Sequence, residues 1–343
     1  MAKKSTQGKI VQPQDLNKSI LKIAALAVVV LSVIFILSWL SGLSSEIADS
    51  NPNTDLPIIS PADSSQGKNM DVKLYFAYND EDLLAPETRT VKAMGDERME
   101  AAALRELIIG PSVSRTELNA VCNSTSVKVV NIEEEGDTLF VTFNVALLSK
   151  SLTQYNLSEV NRRTRLMTQA IVNTITGMGR YSFVQLLIDE DGSGTGERVA
   201  IKHYGYGVGE AAGDELIAPM SFNRDVVLTP RKAIELLISA AMNDNWQQMY
   251  TLTAVAGGNG TVCPKYDVFR TELRDIAKTI DSYQIADFDV STDGKKTVVW
   301  LDVHYLSGGG RVYHRESYPV TLQMENELWR VDYGVLKQLL TMP

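Results

Sequence analysis

The stretch VKVVNIEEEGDTLFVTF, Val127 to Phe143, fixes the class of fold. Val127 to Ile132 and Thr138 to Phe143 are short runs rich in β-branched and aromatic residues. Between them lies Glu133-Glu134-Glu135-Gly136-Asp137, an acidic turn with glycine near its tip. Two strands joined by such a turn form a hairpin. Upstream, Glu97 to Ile109 places Met99, Ala102, Ala103, Leu107 and Ile108 at helical spacing before Gly110-Pro111 stops the run. Downstream, Asn156 to Ser158 opens a longer helix that turns Val160, Met167, Ile171 and Ile175 inward. Val72 to Phe76 supplies a strand before the first helix, and Phe183 to Ile188 one after the second. Val199 to His203 is a candidate for a further strand. The order β-α-β-β-α-β predicts an α+β sandwich with its helices on one sheet face.

Tyr204 to Arg224 contains GYGVGEAAGDE, glycine-rich and without apolar period, so residues 207–224 read as a linker. A second unit opens at Thr229-Pro230, a cap followed by proline at the first helical position. Ala233, Leu236, Leu237, Ala240 and Ala241 give its helix a broad apolar stripe, and another helix falls near Val268 to Ile280. Strands at Ile285 to Val290, Thr297 to Leu306, Val312 to Met324 and Leu328 to Val331 follow, separated by turn signals. Residues 225–343 are thus again α+β, with a curled antiparallel sheet. No internal repeat links the two units.

Composition is that of an ordinary globular protein, 44% hydrophobic and 22% charged over 343 residues. The first 43 residues hold Lys3, Lys4, Lys9, Lys18 and Lys22 against Asp15, a local +4, so the rest of the −9 chain carries −13. That acidity disfavours nucleic acid as a partner of the remainder. Ile23 to Leu40 is an uncharged apolar run long enough to span a bilayer, so residues 23–43 read as a transmembrane helix. A cleaved signal peptide is the competing reading, although no clean small-residue cleavage site follows. With the lysines on its N-terminal side, residues 1–22 are expected in the cytoplasm and the bulk outside it. Residues 44–70, rich in Ser, Pro, Asp and Asn, read as a flexible stalk. Cys122 and Cys263 are either two free thiols or one bridge between the units.

Residues 71–206 resemble the GerMN domain. The resemblance is carried by VKLYF at Val72 to Phe76, PETRTV at Pro86 to Val91, and Ala103 to Pro111 ending in ELIIGP. Thr138 to Asn144, VNTIT at Val172 to Thr176 and Val184 to Asp189 complete it. It implies a non-catalytic envelope domain, akin in fold to ring-building modules, in proteins of sporulation, germination or peptidoglycan-associated complexes. Members are often attached by a lipid on cysteine, whereas here an apolar helix is expected to anchor the chain. Residues 225–343 look like the nuclear-transport-factor-two-like cone, through Ala233 to Leu252 with Asn243-Asp244-Asn245-Trp246, and through Trp329-Arg330-Val331. Such cones serve as binding cups, dimerisation modules or, less often, enzymes.

Three constellations are candidates for chemistry. DEDGSGTGE, Asp189 to Glu197, has carboxylates on a glycine-rich turn but lacks EF-hand spacing, so calcium loop and plain polar hairpin compete. A turn at Ser307 to Gly310 pairs Asp302 with Arg315 and His304 with Tyr313. That register puts His314, Glu316 and Tyr318 on the face of Val299, Leu301 and Val303, where they could bind a ligand inside the cone; an exposed sheet rim is the alternative. Arg162, Arg163 and Arg165 form a basic cluster able to meet an acidic partner, or a solvated helix start. Phosphate loop, nucleophile elbow and zinc-ligand spacings are absent from the sequence, and no cofactor or metal is expected. The expectation is a single-pass, non-enzymatic assembly module of the envelope, bound to envelope proteins or to itself. A receptor for a small ligand or glycan in the cone is the alternative, and a cone-type isomerase a third.

Overall fold

A computed structural model describes residues 68–122, 124–148, 156–257, 261–277, 279–291, 294–306 and 311–341. The spans expected as cytoplasmic tail and membrane helix, and almost all of the stalk, lie outside these. Among the described residues no helix is long and apolar enough to cross a membrane. The described chain forms one compact α+β unit with three sheets.

The first sheet contains a hairpin that sequence reading only half finds. β1 (Asn69–Tyr78) pairs antiparallel with β2 (Leu84–Lys92), with Tyr75 opposite Pro86, and β3 (Leu118–Asn119) flanks β1 on its other side. Pro86 argues against a strand, yet β2 is an edge strand, where a missing N–H breaks no ladder. β1 buries Val72, Leu74, Phe76 and Tyr78. The second sheet has the order β4 (Val129–Glu135), β5 (Thr138–Asn144), β6 (Phe183–Asp189), β7 (Met220–Ser221), with β5 and β6 parallel. Gly136, at φ 61°, makes the β4–β5 turn as expected.

Between the parallel strands runs α2 (Leu157–Gly177), and before β3 lies α1 (Met99–Ile109). The Asn156 side chain accepts the Glu159 N–H at 2.9 Å and starts α2. α2 touches both β1 and β6, so it is buried on more than one side. Its threonines meet that burial by bonding back into the helix: Thr164, Thr168 and Thr176 donate to the carbonyls four residues earlier at 2.7, 2.9 and 2.7 Å. The sandwich with helices on one face is therefore corrected to two sheets sharing a helix.

Residues 207–224, expected as a linker, belong to this packing. Ile217 is buried, β7 pairs with Phe183 and Val184, and Asn223 exchanges two hydrogen bonds with the buried Asn173 side chain at 2.8 and 2.9 Å. The glycines serve close approach: a Cβ on Gly213 would lie 2.2 Å from the Gly207 carbonyl oxygen.

The C-terminal part begins with α3 (Pro230–Met242), capped by Thr229, then α4 (Trp246–Thr251) and α5 (Tyr266–Ile276). An antiparallel meander follows: β8 (Thr279–Val290), β9 (Lys296–Leu306), β10 (Val312–Glu325) and β11 (Leu328–Val331). Bulges in β8 and β10 break the register, and bulges of this kind curl a sheet. α6 (Tyr333–Thr341), with Tyr333, Leu336, Leu339 and Leu340 buried at helical spacing, closes over it. Tyr305 on β9 donates to the Leu339 carbonyl at 2.8 Å. The inner face, including Val299, Leu301, Val303, Tyr318, Val320 and Leu322, is buried.

Candidate functional site

The expected basic cluster is largely neutralised from within. Arg162 bonds Glu159 at 2.6 Å, the Glu81 carbonyl at 2.9 Å and Asp82 at 3.4 Å. Arg163 pairs with Glu159 at 2.5 Å, and Arg165 donates to the Gly205 carbonyl at 2.9 Å. The Arg162 hydrogen bond, then that of Arg163, holds the Glu159 carboxyl at about 2. These arginines fasten the start of α2 to the β1–β2 turn and to the segment after β6.

The ligand triad is split. His304 pairs with His314 rather than Tyr313, and Val303 rather than Asp302 faces Arg315, one residue from the expected register. The bulge at Glu316-Ser317 adds a second residue of slip, which restores the face, and Tyr318 faces Leu301. Tyr318 alone joins the buried face, at 5% exposure. His314 stacks on His304 with ring centres 4.1 Å apart, and lies 3.5 Å from Glu316, whose side chain is 78% exposed. A one-residue shift flips every side chain to the other face, so the expected cavity pair sits outside. Opposite charges suggested Asp302–Arg315 pairing; Asp302 instead accepts the Ser317 N–H of the bulge at 2.7 Å.

The Asp189 loop is a structural turn. Both Asp189 carboxylate oxygens accept backbone N–H groups, from Gly192, Ser193 and Gly194 at 2.8 to 3.1 Å. Cys122 and Cys263 are free, and burial pushes their thiols up to about 12 and about 11. Neither is poised as a nucleophile at neutral pH.

Two concave surfaces are found that sequence reading missed. A groove of about 570 Å³ lies between α1 and β4, with Ala101, Ile108, Ile109, Val129, Val130 and Ile132 among its lining. Ile109 is 65% exposed and Val130 40%. β4 ends its sheet, so one row of its backbone groups has no strand partner there. A cleft of about 640 Å³ lies between the β1–β2 turn, the turn before β3, α4 and β11. No local motif announces either, because each wall comes from a different part of the chain. The nearest signal was the doubled apolar end of α1, Ile108-Ile109, where one helical face cannot bury both.

Comparison with known proteins places the N-terminal part. The family model Germane, described as sporulation and spore germination, matches residues 73–192. Among solved structures, the tandem GerMN domains of the sporulation protein GerM from Bacillus subtilis are similar at 20% identity, over 36% of this chain and 40% of that one, with a TM-score of 0.28. A putative lipoprotein from Clostridium perfringens is similar at 20% identity, over 35% of this chain and 75% of that one, with a TM-score of 0.23. The chain thus spans about two fifths of the length of the GerM structure. No curated protein matches the chain. Residues 73–192 are therefore similar to a family described as sporulation and spore germination.

Proposed function

We propose that this chain is a membrane-anchored, extracytoplasmic assembly module of the cell envelope, working without catalysis in sporulation or germination. Its GerMN-like part docks an envelope protein through the groove between α1 and β4. The observation that carries this reading is the groove itself: large apolar side chains stay exposed beside an edge strand, within the segment similar to the Germane family. Apolar surface next to unpaired backbone suits a partner that adds an extended segment and buries its alternate side chains. The C-terminal part, read as a nuclear-transport-factor-two-like cone, buries the inner face of its sheet. With His314 and Glu316 outside that face, the isomerase and cone-receptor readings lose the residues they rested on.

A photo-crosslinker placed at Ile109 or Val130 of the full-length protein in its native membrane tests the docking surface. The expected product is one defined envelope protein, lost when Ile108→Asp is introduced beside the label. Equal yield from a label at an exposed position far from the groove would sink the reading. Protease added to intact spheroplasts tests the topology: the folded part should be degraded and the first residues protected, and the reverse pattern would overturn the orientation.

A further inference from the structure

The cleft between the β1–β2 turn, α4 and β11 shares no residue with the α1–β4 groove. Its volume, about 640 Å³, falls within the roughly 300–1,000 Å³ of small-molecule sites. Arg330 of β11 lies in it with its side chain only 13% exposed, 3.6 Å from Glu325 and 4.0 Å from Glu117. Glu117 is already bound by Arg115 at 2.7 Å, and the Arg330 Nε has no hydrogen-bond partner among the described residues. That nitrogen is enclosed by protein, so the terminal guanidinium nitrogens, 4.0 and 3.6 Å from their carboxylates, are the ones a ligand would meet. On the facing wall Gln248 of α4 donates to Glu81 at 2.6 Å, so the carboxylate and amide are held in place. Tyr250 adds an aromatic ring, braced edge-on by Tyr266 and Phe269 at 5.4 and 5.2 Å.

The lining excludes ligand classes in turn. Phosphate-like anions meet Asp80, Glu81 and Glu117 against the single Arg330. A metal ion lacks a cage, since no group of three or more His, Cys, Asp or Glu side chains among the described residues could hold one. A lipid or steroid would find about half of the wall polar, with carboxylates, amides and hydroxyls spread among the apolar atoms. The lining itself interleaves acceptors and donors: carboxylates, the amides of Asn245, Gln247 and Gln248, and threonine hydroxyls. A sugar hydroxyl both donates and accepts, and sugar C–H faces lie against aromatic rings. We propose that this cleft binds a neutral oligosaccharide, with Arg330, Gln247 and Gln248 as hydrogen-bonding groups and Tyr250 as the stacking surface.

The test uses the purified full-length protein in detergent, titrated with chitotriose, cellotriose and maltotriose by calorimetry and by ligand-observed magnetic resonance. At least one should bind at millimolar concentration or below. Gln247→Ala, at an exposed position, should weaken that binding about fivefold for one lost hydrogen bond, with an unchanged melting temperature. Arg330→Lys should weaken it more. Because Arg330 also braces the structure, the Gln247 variant decides if the Arg330 variant melts early. Binding of none of the three sugars overturns the proposal. So does binding indifferent to Gln247→Ala and Gln248→Ala, or a response to inorganic phosphate, calcium or tetraglycine in place of the sugars. Loss of glycan binding with the groove crosslink intact would separate this site from the docking reading.

Discussion

Gly205 sits at φ 83°, where the left-handed backbone favours glycine, and an added Cβ would lie 2.3 Å from the Asn161 carbonyl oxygen of α2. Its own carbonyl takes the Arg165 guanidinium. Gly205→Ala should therefore cost on the order of 1–3 kcal/mol, read as a lowered denaturant midpoint with unchanged slope. Glu159 makes a second prediction. Its folded carboxyl is held at about 2 by the Arg162 and Arg163 bonds, below the ordinary 4.5 of an unfolded glutamate. The stability it contributes is fully present above about pH 4.5 and is lost as pH falls from there through about 2. Glu159→Gln should flatten the acid limb of melting temperature against pH in that window; a wild-type slope would refute the assignment. The cluster of arginines was legible as charge. Its role was not, because two of its acceptors are backbone carbonyls 81 and 40 residues away, which no composition reveals.

At the level of elements, Ile108 and Ile109 separate two jobs of α1. Ala102, Ala103, Leu104 and Leu107 hold the helix to the core, whereas Ile109 points its apolar bulk to solvent. Ile109→Asp should change global stability by no more than about 0.5 kcal/mol, the usual range for surface changes, while abolishing partner capture. A large loss of stability would instead assign Ile109 to the core. Strands β9 to β11 and the long α2 were readable almost to the residue, since alternation and helical period persist over many positions. β2 was hidden by Pro86, which only an edge strand tolerates, and β7 by being two residues long. The β9–β10 register was lost at the turn, where Leu306 pairs with Val312, one residue beyond the expected partner, before the bulge adds a second. Charge pairing favoured the wrong alignment there, and one extra residue decided which of His314 and Tyr318 faced inward.

Across the whole molecule, the N- and C-terminal parts share bonds that a freely hinged pair would lack. The β10–β11 turn, with Asn326 and Glu327 at φ 50° and 62°, carries the Glu327 carboxylate to β2, where it accepts the Thr88 N–H at 2.5 Å and also its hydroxyl. Leu228 donates to the Leu84 carbonyl at 2.8 Å, joining the entry to α3 to the start of β2. The parts should unfold in one calorimetric transition, and Glu327→Ala should cost about 1 kcal/mol of stability, read as a lower midpoint temperature; the loss is modest because the bonds are solvent-exposed. Two resolved transitions in the wild type would show the contacts to be too weak to couple them.

The described fold starts at β1, and β1 is the middle strand of its sheet, laddered to β2 on one side and β3 on the other. Any pull on the chain from its N-terminal side enters there. From Asn69 to Phe76 the ladder is to β2 alone, β3 holds only Ala77 and Tyr78 at the far end, and α2 packs against the strand. A load entering there has to open the β1–β2 ladder from Asn69 onward before it reaches the two β3 pairs, so the last contacts to give way are those nearest the β1–β2 turn.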